Sequence, residues 1–358
     1  MSQSRVTTIL LCCFFSLIVG SRSSIFAQQP PRAPEKERGI ELYREGDFNK
    51  AVKALKEAVK KQEGDSDAWY YLGLSLNRAG KVEDARKAFE KTISLRPDFA
   101  PAYTEMAYIQ LLGNDNKEAV KNAEKALALD PKNVESLFIA GVAHLKERAV
   151  AEALDRAEEA LKIKPDYPQA LILKTQTLVN IFYQEEQAKW GGKPEWREEG
   201  KSSDDAVGEA KKRADYSLLN AASESLESYL KLELGRYERA FWSEQLETLR
   251  FYAQRADNSR SDDPITGMTA TLKPTILHRE RARVTDAASN AGVNGTVVLL
   301  VVFAEDGLMK HILVIQGLSH GLTERAIEAA RKIKFTPAMR DGKPVSVIGY
   351  LEYTFKQY

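Results

Sequence analysis

An interval of 34 residues constrains this chain more than any other feature of it. Pro97, Pro131 and Pro165 recur at that interval, as do Gly73, Ala107 and Gly141. So do Ala51, Ala85, Ala119 and Ala153, and again Ala58, Thr92, Ala126 and Ala160. Repetition at a fixed period means one supersecondary unit stacked on copies of itself, because a single unit cannot bury its apolar stripe alone. The small residue at 73, 107 and 141 lets a paired helix approach closely. Trp69, Tyr103 and Leu137 fill the space between helices. The proline ends the second helix and sets the turn into the next unit. The spacing predicts repeats over 32–65, 66–99, 100–133 and 134–167, with a fifth beginning at Pro168. The first closes on Glu63-Gly64 where the others carry proline.

Trp69-Tyr70-Tyr71-Leu72-Gly73, followed by Ala85, Phe89 and Pro97, resembles the tetratricopeptide repeat. The resemblance implies antiparallel helix pairs winding into an α-helical solenoid over 38–180. The first helix of each pair should line its concave face. Counting within the repeat places Tyr43, Arg44, Tyr70, Asn77, Arg78, Tyr108, Leu112, Phe138, Leu145 and Lys146 there. Aromatic and amide groups along a groove suit an extended peptide or a helix. Two other readings stay open: some of these side chains pack repeats together, or the groove holds a segment of the same chain.

Residues 181–213 break the period. Trp190-Gly191-Gly192-Lys193-Pro194-Glu195-Trp196 reads as a charged, loop-like insertion dividing the fifth repeat. Trp190 and Trp196 form either an exposed recognition pair or pins that hold the loop to the solenoid end. Helical period resumes over 214–255. Tyr216, Leu219, Ala222, Leu226, Tyr229 and Leu230 make one stripe, and Phe241, Leu246, Leu249 and Phe251 a second, separated at Gly235. This pair is expected to cap the open end of the solenoid. Residues 256–271 are polar and turn-rich, as in a linker.

The last stretch, 272–358, has another grammar. A charged run, 278–291, is helix-capable and closes on Gly292. Residues 296–303 (TVVLLVVF) and 309–315 are β-rich, and the Asp306-Gly307 turn between them is a strong hairpin signal. Leu322, Ala326, Ala329, Ala330 and Ile333 then recur at helical spacing, and Phe335-Thr336-Pro337 should stop that helix. After a turn at 341–344, Val345, Val347, Leu351, Tyr353 and Phe355 alternate with Ser346, Glu352 and Thr354. Helix, strand, strand, helix, strand predicts a small α+β domain, an antiparallel sheet with helices on one face. Asn294-Gly295-Thr296-Val297, Asp306-Gly307, residues 326–331, Lys334-Phe335-Thr336-Pro337-Ala338 and Asp341-Gly342-Lys343-Pro344-Val345 resemble the C-terminal domain of the TonB family. Its Tyr-Pro pair has no counterpart here beyond Pro274. The resemblance implies binding to a peptide segment of an outer-membrane receptor and transmission of inner-membrane energy. Physically, a last strand at a sheet edge offers unpaired N–H and C=O groups to another chain. The candidate edge residues are Val345, Val347, Gly349, Leu351, Tyr353 and Phe355; internal pairing and homodimerisation are the other uses of such an edge. Val347→Pro would remove a ladder donor and impair strand addition.

The rest of the sequence narrows the chemistry. A formal charge of +1 gives no electrostatic case for nucleic acid or anionic membrane. Both cysteines, Cys12 and Cys13, lie in the first fifteen residues. There, residues 9–19 form an apolar run before Ile25-Phe26-Ala27, which reads as a cleaved secretory signal over 1–27. Even residues 6–20 would span only about 22 Å as a helix, short of the roughly 30 Å of a bilayer core. Residues 28–37, with Pro30, Pro31 and Pro34, read as an exposed lead-in. His144, His278, His311 and His320 show no metal-ligand spacing. Gly317-Leu318-Ser319-His320-Gly321 is neither a phosphate loop nor a nucleophile elbow. Glu185-Glu186 and Asp262-Asp263 read as solvated charge. The expectation is a periplasmic adaptor that binds protein or peptide segments, with no enzymatic activity, cofactor, metal or nucleic-acid partner. The runner-up is an inner-membrane-anchored energy transducer, in which the solenoid replaces the usual spacer.

Overall fold

The computed structural model describes residues 34–189, 217–257 and 272–356. The signal segment, Trp190, Trp196, Asp262-Asp263 and nearly all of the linker lie outside the described residues.

Eight helices form four pairs: α1 (Pro34–Arg44) with α2 (Phe48–Lys61), α3 (Ser66–Arg78) with α4 (Val82–Leu95), α5 (Ala100–Leu112) with α6 (Asn116–Leu129), and α7 (Val134–Lys146) with α8 (Val150–Ile163). Pro34 opens α1, so the lead-in ends earlier than its prolines suggested. Its missing N–H and fixed φ suit the first helical position. Gly46, Gly80, Asn114 and Arg148 all adopt positive φ, one in each turn between paired helices. Gly73 abuts the ring of fully buried Phe89, and Gly141 abuts Leu173. The interval also reaches back to Gly39, where an added Cβ would lie 2.5 Å from Leu55.

The long helix α9 (Pro168–Lys189) pairs with α10 (Ser217–Leu230) as a fifth unit, and α11 (Arg236–Asp257) follows. The period thus outlasts position 181, because Val179 and Phe182 are still core. No helix among the described residues is long and apolar enough to cross a membrane.

In the C-terminal region, strand β1 (Thr275–His278) precedes the short helix α12 (Asp286–Asn290). The predicted helix over 278–291 is therefore confined to its end. Residues 279–284 hold four charges and no apolar stripe, and Thr285 supplies the N-cap, its Oγ1 accepting from the Ala288 N–H at 3.1 Å. Strands β2 (Gly295–Phe303) and β3 (Met309–Gln316), helix α13 (Leu322–Arg331) and strands β4 (Lys334–Thr336), β5 (Ala338–Arg340), β6 (Lys343–Val345) and β7 (Val347–Phe355) complete the chain. The main sheet is antiparallel in the order β3-β2-β7. Two small ribbons flank it, β1 with β4, and β5 with β6 across Asp341-Gly342, both at positive φ as a two-residue hairpin turn requires.

The sheet is covered on both faces. Val297, Leu299, Val301 and Phe303 pack with α13, whereas Val298, Leu300, Val302, Leu313 and Ile315 join Leu178, Phe182, Leu226 and Leu249 of α9–α11 in one core. The helices expected to cap the solenoid against water instead form the floor beneath the sheet. The two regions thus share a hydrophobic core rather than hanging on a tether.

Candidate protein-interaction surfaces

Position within the repeat sets what lines the concave side. Tyr43 lies 6.0 Å from Tyr71 and 5.7 Å from Phe48, ring to ring. Tyr70 meets Phe99 edge-on at 5.0 Å, and Phe138 meets Tyr167 at 6.2 Å. These three candidates are half-buried and fasten neighbouring elements. Asn77 and Leu145 are also half-buried. Arg44, Arg78 and Lys146 are exposed, with Tyr108 and Leu112 between them at 39% and 58%. Lys146 Nζ donates to Asn114 Oδ1 at 3.0 Å, and burial holds its ammonium below the usual lysine range.

Glu105 was not singled out from the sequence. It stands at the repeat position that carries Tyr71 and Ile139, so a carboxylate where the period wants an apolar group was the available signal. Burial pushes its carboxyl up to about 7; the Glu135 charge adds to the rise and Arg78 opposes it. Tyr70, on α3, faces the same carboxylate. The folded-state value exceeds the ordinary 4.5. The group therefore costs stability as pH rises from about 4.5 to about 7, and the cost is constant above that. Glu105→Gln should stabilise the fold at pH 8 by roughly 1–3 kcal/mol and change little at pH 4. Urea titrations at both values check this.

The two flanks of the main sheet differ. On β3, the Gln245 side chain acts as a surrogate strand. Its Nε2 donates to the Ile312 carbonyl at 3.1 Å, and its Oε1 accepts from the Val314 N–H at 2.9 Å. Asn180 Nδ2 donates to the Ile315 carbonyl at 3.0 Å, and Tyr252 O–H to the His311 carbonyl at 2.8 Å. Register slips in the β2–β3 ladder turn these carbonyls toward the helices. His311 has φ +46°, and its ring stacks on Phe251. The histidine read as an unremarkable strand residue is thus part of this seam. Buried polar groups demand partners, and α9 and α11 supply them.

On β7 the outer flank has no neighbouring strand among the described residues. Of the residues named as edge candidates, Val345, Val347, Leu351, Tyr353 and Phe355 turn their side chains into the core, and Gly349 is buried among them. What this edge can offer is backbone. The Glu352 carbonyl accepts a hydrogen bond from the Arg279 guanidinium and so points away from β2. Residues facing the neighbour alternate with residues facing away in an antiparallel ladder. Ile348 and Thr354 share the outward register, whereas Val347 faces Phe303 of β2. Arg279 also lies 4.6 Å over the Tyr353 ring.

Elsewhere, Ser319 Oγ lies 2.8 Å from His320 Nδ1 in an exposed turn. His320 and Gly321, both at positive φ, lead into α13, and the His320 carbonyl accepts from Thr285 Oγ1 at 2.6 Å. Glu185 and Glu186 are half-buried on α9, not fully solvated.

Comparison with known proteins agrees with this architecture. The sequence matches the family described as Tetratricopeptide repeat over residues 36–99 and 105–168. It matches the family described as Gram-negative bacterial TonB protein C-terminal over residues 285–357. No curated protein matches the chain. Among solved structures, a pilF from Pseudomonas aeruginosa is similar at 13% identity and TM-score 0.46, covering 63% of this chain and 86% of that one. A MamA protein is similar at 18% identity and TM-score 0.42, covering 56% and 94%. YrrB, described as a TPR protein with an unusual peptide-binding site, is similar at 14% identity and TM-score 0.40, covering 63% and 92%.

Proposed function

We propose that this tetratricopeptide-repeat protein with a TonB-type C-terminal domain is a periplasmic adaptor that performs no bond-making chemistry. One partner segment adds as a strand along the outer flank of β7. A second segment lies in the solenoid groove. The observation that carries the first half is the asymmetry of the sheet. The β3 flank is satisfied by Asn180, Gln245 and Tyr252 of the chain's own helices, while on the β7 flank no strand pairs among the described residues and the Arg279 guanidinium reaches the Glu352 carbonyl. Backbone pairing supplies affinity in strand addition, so the partner is a protein segment able to extend. The TonB resemblance makes a periplasm-facing segment of an outer-membrane receptor the first candidate.

Ile348→Pro tests this, because Ile348 turns its N–H outward, and proline is tolerated at an edge. Binding of extended peptides from such receptor segments, titrated by fluorescence anisotropy, should weaken about tenfold or more, with stability within about 1 kcal/mol of the parent. Unchanged affinity contradicts strand addition at β7. Val347→Pro, suggested by the sequence alone, is the wrong probe: it removes a donor facing β2 and should cost the fold about 3 kcal/mol. Arg279→Ala uncovers the Glu352 carbonyl and should tighten peptide binding by up to about tenfold.

A further inference from the structure

The second helix of each solenoid pair turns one side outward, opposite the buried alanines at 51, 85 and 119. On α2, α4 and α6 that side carries exposed Lys53, Lys60, Lys87, Lys91, Lys121 and Lys125. Positions 53, 87 and 121 share one place in the repeat, and 91 and 125 share the place one helical turn on. Lys87 with Lys91, and Lys121 with Lys125, are therefore like-charged pairs at i,i+4, an arrangement that weakens a helix. Among the described residues, Lys121 alone of these six takes part in an ion pair, with Glu118 at 3.2 Å. The other acids on this side are Glu57 and Asp84. Arg86 shows the usual alternative on the same helix α4, bonded to Glu83 and Glu90. On α8 the two repeat places carry Asp155 and Glu159, and the lysine block ends there. The formal charge of +1 is thus a balance of separated charges, not an even mixture of them.

We infer that this outer face of the solenoid docks on an anionic phospholipid surface. Three properties select a headgroup layer over a protein partner. The cations are lysines, compact point charges without the planar fork that reads a carboxylate in two places. No large apolar side chain stands among them: Val82, Leu95 and Leu129, the exposed apolar residues of α4 and α6, are the first or last of their helices. Protein interfaces centre on buried aromatic and aliphatic anchors, whereas lysines are drawn to an anionic bilayer with nothing apolar inserted. The outer side of a curved solenoid is also convex, and a convex face can rest on a plane. Lipid phosphates would relieve the repulsion within Lys87–Lys91 and Lys121–Lys125. The inference goes beyond the adaptor reading; it uses neither the groove nor the β7 edge, and its failure leaves both standing.

The test is co-sedimentation of the full mature chain with vesicles of phosphatidylglycerol in phosphatidylcholine, and with vesicles of phosphatidylcholine alone. The parent should bind the anionic vesicles only, and less as salt rises. Each lysine at such a surface is worth about fivefold. The variant Lys87→Gln/Lys91→Gln/Lys121→Gln/Lys125→Gln should therefore lose at least about thirtyfold in partitioning. It should melt no lower than the parent, because the like-charged pairs are gone, and this separates lost docking from lost folding. Lys132→Gln/Lys231→Gln/Lys334→Gln/Lys343→Gln removes the same charge from exposed positions elsewhere, and should bind within about threefold of the parent. Equal losses in the two variants would reduce the effect to net charge and overturn the inference. Binding of soluble polyglutamate that depends on the four lysines, without vesicle binding, overturns it in favour of an acidic protein. Failure of the parent to bind anionic vesicles at low salt overturns it outright.

Discussion

Leu300→Asp should detach the sheet from the solenoid and cost on the order of 3–5 kcal/mol. Leu300 is 2% exposed, in the central strand, on the face that shares a core with α9–α11. A carboxylate there would face an apolar floor built from residues such as Leu178, Phe182 and Leu249. It must stay buried unpaired, take up a proton, or separate the layers, and each is expensive. Two probes report the result. Far-UV dichroism follows the helices, and fluorescence of Trp242, packed into the same core on α11, follows the seam. In the parent both should change together in one transition. In the variant the seam signal should be lost first. Stability within about 1 kcal/mol of the parent would mean the sheet does not rest on these helices.

The second large effect is expected at Gly73. A Cβ there would lie 2.6 Å from a ring carbon of Phe89, which has no exposed surface and no room to retreat. Replacing a mid-helix glycine ordinarily returns up to about 1 kcal/mol of backbone entropy. Overpacking costs about 1–3 kcal/mol, and more when the neighbour cannot move. The clash wins: Gly73→Leu should destabilise by roughly 3 kcal/mol. Pairing it with Phe89→Leu, which removes ring atoms at the point of contact, should recover part of the loss in a double-mutant cycle. Additive losses would contradict the assigned contact between α3 and α4.

Much of this fold is legible in the sequence because periodicity reports burial directly. The 34-residue interval places Ala85, Ala119 and Ala153 in tight helix contacts, and each has no exposed surface. The Asp306-Gly307 hairpin and the final alternation of Val347, Leu351, Tyr353 and Phe355 likewise specify β2, β3 and β7. What escaped was the second face of the sheet. Residues 296–303 are apolar almost without alternation, and such runs mark strands covered on both sides. Read only for β propensity, they leave the stripes at 216–230 and 241–251 facing water. The role of Gln245 had no sequence signal, since an amide matches a strand edge only once two distant elements meet. The groove was legible as a surface, but not its division into packing aromatics and open cations. That division depends on which rings reach the next repeat.

One edge of the sheet is closed by helices α9 and α11, and the other is the edge proposed to receive a partner strand. Residue-resolved amide hydrogen exchange measures both edges at once. The Val314 N–H, bonded to Gln245 within the shared core, should exchange only through global unfolding. The Ile348 N–H should exchange orders of magnitude faster in the free protein and become protected when a partner peptide is added. Fast exchange at Val314, or protection of Ile348 in the free protein equal to that of Val314, would contradict the account.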